Sequence, residues 1–185
     1  MTRAGLLVVV LTVGGLAGAC DDLQSSALTV NGEDVSRSSV DDDLQALRDN
    51  DVLAEATSQA PSGALTRSPG TINSAYSADW LTLIVQSTVV DQELARRDVD
   101  VTDADREQAE QQAQQAFGSP EAFADFPQSF QDRLIDRLAG FVALQGVVQD
   151  QAALGQLFMD ADVDVDPRFG RWSKDDAAVV PPTRT

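Results

Sequence analysis

The sequence predicts a mainly α-helical domain with a small β-sheet, and two features of the residue pattern lead to this class. Between positions 36 and 160, apolar residues recur at the three- and four-residue spacing that is typical of amphipathic helices. Strand-like alternation is limited to 27–35 and 163–165. A strand must pair to satisfy its backbone hydrogen-bonding groups, so we expect the C-terminal strand to pair with an N-terminal hairpin.

A hairpin and a capped helix open the predicted fold. Asn31-Gly32 stands between Ala27–Val30 and a short return at Glu33–Val35, and both turn residues tolerate the positive φ angles of a type I′ turn. The Ser36 hydroxyl is placed to cap the following helix, which is expected to end near Asn50. The apolar face of that helix consists of Val40, Leu44 and Leu47. Its acidic residues are expected on the solvent side: Asp41, Asp42 and Asp43.

Residues 1–19 are predicted to be a signal peptide, because the apolar run at 6–13 is too short to span a membrane. The single cysteine, Cys20, follows small residues in a pattern that resembles a bacterial lipobox, whose cysteine carries a diacylglyceryl group. Two acyl chains give stable attachment, so we expect a lipid anchor at the extracytoplasmic face of the cell membrane, with 20–26 as a tether. Ordinary secretion is the alternative, since Ala-Gly-Ala at 17–19 also fits simple cleavage and a lipobox usually begins with Leu, Val or Ile.

A long loop separates the first helix from the longest one. Ser58–Asn73 is rich in Ser, Pro, Gly and Thr, which predicts a surface loop or, alternatively, a mobile flap over a binding surface. The next helix is predicted over Ser77–Arg97. Trp80 is expected to anchor the core, and contact with a bound polypeptide is the alternative role for this residue.

The helix predicted over Asp103–Phe117 is unusually polar. Thr102 and Asp105 occupy the positions of a capping box at its start. Either its alanines and Phe117 form the buried face or the helix stands in solvent. The thin alanine stripe indicates an arm that projects from the domain, and its members are Ala109, Ala113 and Ala116.

The last long helix is predicted to begin at Gln128 and to carry a broad apolar face. Gly140 and Gly146 lie in its interior, where they mark close helix contacts or weak points. Three aromatic residues cluster around its start: Phe123, Phe126 and Phe130.

The end of the chain changes from helical to strand-like spacing. After a further helical turn or two at 152–159, Val163–Val165 is expected to pair with Thr29-Val30 or with the hairpin return. Residues 174–185 are predicted to be a disordered tail.

Composition argues against several classes of function. The formal net charge of −17 disfavours nucleic acid as a partner. The absence of His and the single Cys argue against triads and structural zinc sites built on those residues. The alternating aspartates at 160–166 lack the glycine and the closing glutamate of an EF-hand loop. We therefore expect no catalytic residues, no metal, no cofactor and no small-molecule substrate, and hence no enzyme.

The order of three segments resembles the SurA N-terminal domain family of chaperone modules, which are related to trigger factor and PrsA-type foldases. The segments are ALTVNGEDVSRSSVDDDLQAL, DVDVTDADREQAEQ and VDVDPRFGRW, and the resemblance covers most of 27–173. The chain departs from the foldases of this family in having no stretch for a parvulin domain and no active-site histidine. The resemblance therefore implies a helical chaperone-like module without prolyl isomerase activity.

This resemblance implies a membrane-anchored, ATP-independent binder of unfolded or extended secreted polypeptides. We expect client contact at Phe123, Phe126 and Phe130, provided that these residues form an exposed apolar patch. The alternative is a structural or accessory envelope lipoprotein that docks one dedicated protein partner. A general chaperone should expose a broad, adaptable apolar groove, whereas an accessory protein should show one compact patch surrounded by polar residues.

Overall fold

The computed structural model describes residues 25–57, 65, 71–148 and 150–182. The described residues are mainly helical and include a small antiparallel sheet, which confirms the predicted class. The helices are α1 (Arg37–Asp49), α2 (Asp51–Thr57), α3 (Ser74–Arg97), α4 (Asp103–Ala116), α5 (Pro120–Ala124), α6 (Gln128–Val147) and α7 (Gln151–Asp160). The strands are β1 (Ser26–Val30), β2 (Glu33–Ser36), β3 (Val163–Val165), β4 (Arg171–Ser173) and β5 (Ala178–Val180).

Strand β1 lies at the centre of a three-stranded sheet with the order β2-β1-β3. Asn31 and Gly32 form the β1–β2 turn with φ angles of 51° and 86°, as the hairpin prediction requires. Strand β3 pairs antiparallel with β1, and Val163 lies opposite Val30. The predicted return of the C-terminal strand to the N-terminal one is therefore confirmed, and it joins the two ends of the helical region.

Helices α3 and α6 approach each other closely at Gly140. A Cβ atom at this position would lie 3.1 Å from Asp91 Oδ1 and 3.3 Å from Val90 Cγ1. The glycine therefore permits the contact that the sequence indicated. At Gly146, in contrast, an added Cβ would meet no atom within 4 Å.

Helix α4 does not project from the domain, which corrects the sequence-based expectation. Its Ala109 and Ala113 are fully buried, whereas Ala116 is exposed. The small side chains allow α4 to lie along α6, and Arg106 Nε donates to Asp136 Oδ1 across this contact at 3.1 Å. The predicted capping box of Thr102 and Asp105 is present.

The predicted disordered tail is also corrected, because β4 and β5 form an antiparallel hairpin that packs on α3. Val179 is 4% exposed, and its N–H donates to Thr82 Oγ1 at 2.8 Å. Gly170 has a φ of 134°, and a Cβ there would lie 2.2 Å from the Val180 carbonyl oxygen. Residues 183–185 lie outside the described part of the chain.

Other predictions fall wholly or largely outside the described residues. They include the signal peptide at 1–19, lipid attachment at Cys20, most of the tether and most of the loop Ser58–Asn73. Within that loop Leu65 is described and buried, and its carbonyl accepts a hydrogen bond from the Asn73 N–H at 2.7 Å.

Candidate functional site

The three phenylalanines that the sequence indicated as client contacts are core residues. Phe123, Phe126 and Phe130 are at most 3% exposed, and the rings of Phe126 and Phe130 stack with centroids 4.5 Å apart. Phe117 and Trp80 complete this aromatic cluster, since they pack against Phe126 and Phe130 at 4.8 Å and 5.3 Å. The short helix α5 contributes Phe123, whereas Phe126 follows that helix and Phe130 lies on α6, so the sequence of α5 alone could not place the cluster. The expected client-contact surface at these residues is thereby corrected.

A buried carboxylate lies beside the aromatic cluster. Asp43 on α1 is fully buried, although the sequence pattern placed it on the solvent side. Its Oδ1 accepts hydrogen bonds from Arg133 Nε and Nη2 at 2.8 Å and 2.5 Å. Its Oδ2 accepts from Arg137 Nη1 at 2.7 Å and from Trp80 Nε1 at 3.2 Å. This carboxylate network thus links α1, α3 and α6.

The carboxylate network has a structural role. A carboxylate offers about four acceptor positions, and Asp43 uses four of them, so none remains for a substrate proton or a metal ion. Arg137 also lies over the Trp80 ring, 5.6 Å from its centroid, which adds a cation–π contact. A signal for this network was present in the sequence: Asp43 lies three residues after Val40 and four before Leu47, on the apolar face of α1.

An open groove of about 500 Å³ runs between α1 and the start of α6, here called the α1–α6 groove. Ala46, Asn50 and Phe130 form its buried floor, and Arg133 reaches its wall from the carboxylate network. Its edges also carry exposed carboxylates and small polar or apolar residues: Asp42, Gln45, Asp49, Asp125, Pro127 and Ser129.

A smaller groove of about 240 Å³ lies between α6 and α7, here called the α6–α7 groove. Apolar side chains dominate its lining, and Gly155 leaves space where a side chain would otherwise stand. The lining residues are Phe141, Leu144, Gln145, Leu154, Gly155 and Phe158. Two of the three large apolar residues exposed in the described part of the chain lie on the same helices: Val147 at 46% and Met159 at 40%.

Two acidic residues of α3 have shifted pKa values. Hydrogen bonds from Arg96 and Arg97 hold the pKa of Glu93 at about 2. Desolvation of the Asp91 carboxyl group against α6, with Glu33 and Asp136 nearby, raises the pKa of Asp91 to about 6, although Arg137 acts in the opposite direction. Neither residue lines the α1–α6 or the α6–α7 groove, and both shifts make the stability of the fold depend on pH.

Comparison of the chain with protein-family models, curated proteins and solved structures finds no match. Within the described ranges, no helix combines the length and apolar character needed to cross a membrane. The same ranges contain no group of three or more acidic or cysteine side chains arranged to hold a metal ion. A function therefore has to be inferred from the surface of the described residues, where the two grooves lie.

Proposed function

We propose that this chain is a lipid-anchored extracytoplasmic protein that binds unfolded or extended secreted polypeptides without ATP and without prolyl isomerase activity. The α6–α7 groove carries the proposal. Its apolar lining suits the side chains of a non-native polypeptide, which folded proteins keep buried. The topology, in which β3 closes the helical region against β1, agrees with the order of elements on which the family resemblance depends.

The anchor and the groove have complementary parts in this proposal. The lipid on Cys20 would keep the protein at the membrane, where secreted chains emerge before folding. The groove would hold one short apolar segment at a time, because about 240 Å³ accommodates only a few side chains. Such binding delays aggregation by covering apolar surface and requires no chemical step.

A second candidate is an accessory lipoprotein that docks one dedicated partner. The compactness of the α6–α7 groove favours it, as does the burial of Phe123, Phe126 and Phe130, because a general chaperone would benefit from a broader apolar surface. Both candidates use the α6–α7 groove. The chaperone would bind many different polypeptides there in turn, whereas the accessory lipoprotein would bind one specific partner.

An aggregation assay tests the leading proposal. The full chain in lipid nanodiscs would be added in rising amounts to an unrelated protein as it unfolds, with light scattering as the readout. We expect suppression near equimolar amounts in the absence of nucleotide, and none from empty nanodiscs or an inert acidic protein. No suppression by the full chain would contradict the chaperone proposal and favour the dedicated partner.

Two matched glycine variants test the groove itself. Gly155→Glu places a charge in the α6–α7 groove, and a Cβ atom added at this position would meet no atom within 4 Å. Gly146→Glu makes the same change in open space on α6, outside the groove lining. We expect Gly155→Glu to abolish suppression and Gly146→Glu to retain it. Equal activity of the two variants would refute the assignment of this groove.

A further inference from the structure

The α6–α7 groove is nearly closed at its base. Leu144 and Leu154 line it but are only 1% and 8% exposed, so a ligand gains little contact with them in the arrangement that the structure shows. Phe141 on α6 and Phe158 on α7 are partly exposed, and their ring centroids lie 6.4 Å apart across the groove. A polypeptide segment must therefore part these two rings before it reaches the base.

The described side chains of α7 attach this helix to the rest of the domain by apolar contacts. Leu154 is buried, and Leu157 and Phe158 are partly buried. Gln156 Nε2 donates to Asp160 Oδ1 at 2.7 Å within the helix, and no hydrogen bond or ion pair joins a described α7 side chain to another helix or strand. Apolar contacts are not directional, so α7 can shift without losing a polar side-chain contact to its neighbours.

Open space lies beside a neighbouring face of α7. A groove of about 360 Å³, here called the α3–α7 groove, lies between α7, α3 and the β1–β2 turn. Leu157 lines this groove and is not part of the α6–α7 groove lining. Because the two grooves flank the same helix, a shift of α7 into the α3–α7 groove would widen the α6–α7 groove.

A pivot for such a shift exists at the C-terminal end of α7. Ala161 is buried and ends the helix, with backbone angles of φ −59° and ψ 136°. The next residue is tied to the β1–β2 turn, since the Asp162 N–H donates to Asn31 Oδ1 at 2.9 Å and its carbonyl accepts from the Asn31 N–H at 2.7 Å. Residues at the ends of helices and strands absorb the backbone rotation of hinge motions, so α7 can turn about Ala161 while β3 stays in place.

We propose that α7 is a lid that turns about Ala161 into the α3–α7 groove when a client segment with several apolar side chains parts Phe141 and Phe158. The segment then packs against Leu144 and Leu154, which the closed arrangement covers. Its contacts with this newly exposed surface supply the free energy that shifts α7 from one position to the other. The inference rests on the proposed function and deepens it, because it explains how a groove of about 240 Å³ accepts longer apolar segments of a non-native polypeptide.

Peptide binding measured by fluorescence anisotropy tests the inference on the unsubstituted chain. The full chain in nanodiscs would be titrated against labelled, unstructured peptides of equal length and charge that carry either three or six leucines. A fixed groove of this size is filled by a few side chains, whereas a widened groove gains contact with each further leucine. We expect the six-leucine peptide to bind about tenfold more tightly than the three-leucine peptide. Equal affinities, or only the small gain that additional binding registers give, would overturn the inference.

Two substitutions of Leu157 test the movement from outside the α6–α7 groove. Leu157→Ala weakens the contacts that hold α7 in its closed position and leaves more room in the α3–α7 groove, so we expect the six-leucine peptide to bind about three- to tenfold more tightly. Leu157→Trp fills the same space and should reduce the affinity for this peptide to that for the three-leucine peptide. Leu53→Ala is the matched control, because Leu53 is also partly buried and lines neither groove, and it should leave both affinities unchanged.

The outcomes separate this inference from the proposed function. Urea unfolding would first verify that each variant is folded under the conditions of the assay. An equal gain from Leu157→Ala and Leu53→Ala would overturn the lid in favour of a general loosening of the fold, and so would unchanged affinities in both Leu157 variants. In each of these cases the peptides still bind and the proposed function stands. If neither peptide binds and aggregation is not suppressed, the proposed function is contradicted as well.

Discussion

Replacing Asp43 with asparagine would remove the charge on which the carboxylate network depends. The substitution keeps the size of the side chain and an oxygen that can still accept from Trp80 Nε1. It leaves the guanidinium groups of Arg133 and Arg137 without their carboxylate, and the side chain of Arg137 is only 13% exposed. Breaking a buried ion pair by removing one partner costs about 3–5 kcal/mol, and the partial exposure of Arg133 places our expectation near 3 kcal/mol.

Urea unfolding of the full chain in mild detergent, followed by tryptophan fluorescence, measures this loss. Domains are stable by about 5–15 kcal/mol, so a loss of about 3 kcal/mol shifts the midpoint clearly while the slope of the transition stays unchanged. Asp42→Asn is the matched control, because Asp42 is exposed on the same helix, and we expect its effect to stay within about 0.5 kcal/mol. If the two variants had equal stability, our account of the carboxylate network would be refuted.

Four further predictions concern charge, packing and anchoring. Because the pKa of Asp91 is raised, the folded state binds more protons than the unfolded state between about pH 4 and 6, and stability falls as pH rises through that window. Asp91→Asn should remove this pH dependence in urea titrations. After allowance for solvent screening, the variant should also be more stable by about 1 kcal/mol at pH 7. The lowered pKa of Glu93 has the opposite sign, since its stabilisation is present above pH 4.5 and is lost as pH falls towards 2; Glu93→Gln should cost about 1 kcal/mol at pH 7 and little near pH 2. In the same urea titrations, Gly140→Ala should lower the free energy of unfolding by about 1–2 kcal/mol, because Asp91 and Val90 must move to admit the new methyl group. Gly146→Ala meets no neighbouring atom and should leave the free energy of unfolding unchanged or raise it by up to about 1 kcal/mol. Cys20→Ala should move the chain out of the membrane fraction, and mass spectrometry of the unsubstituted chain should show a diacylglyceryl group on the cysteine; membrane retention of the variant would contradict the anchor.

The parts of the fold that local patterning determines were predictable. The Asn31-Gly32 turn follows from the conformational tolerance of its two residues, and the alternation of Val163–Val165 identified a strand whose only available partners were near the N-terminus. Gly140 and Gly146 could both be marked as close helix contacts or weak points, and the structure shows a close contact at Gly140 and open space at Gly146. These features depend on neighbours in the sequence or on simple pairing rules.

The features that local patterning did not determine depend on tertiary partners. An alanine stripe predicts a thin contact face but does not reveal which helix covers it. The sequence therefore indicated that α4 projects from the domain, whereas α4 lies along α6 in the structure. Asp43 is buried because two arginines about ninety residues later supply its hydrogen bonds. The Phe123 ring is buried by α4 and α6. Helix α5 has only five residues, which is too short for an apolar periodicity to indicate which face is buried. For this reason the groove that carries the proposed function became visible only in three dimensions.

Site-specific photo-crosslinking in living cells tests the central claim most directly. A photoreactive residue would replace Gly155 in the α6–α7 groove or, as the matched control, Gly146 on the open face of α6. Our account predicts adducts with many different secreted polypeptides from position 155 and few from position 146. A single adduct from position 155 would contradict the chaperone proposal in favour of one dedicated partner, and adducts no more abundant than those from position 146 would contradict polypeptide binding by this groove.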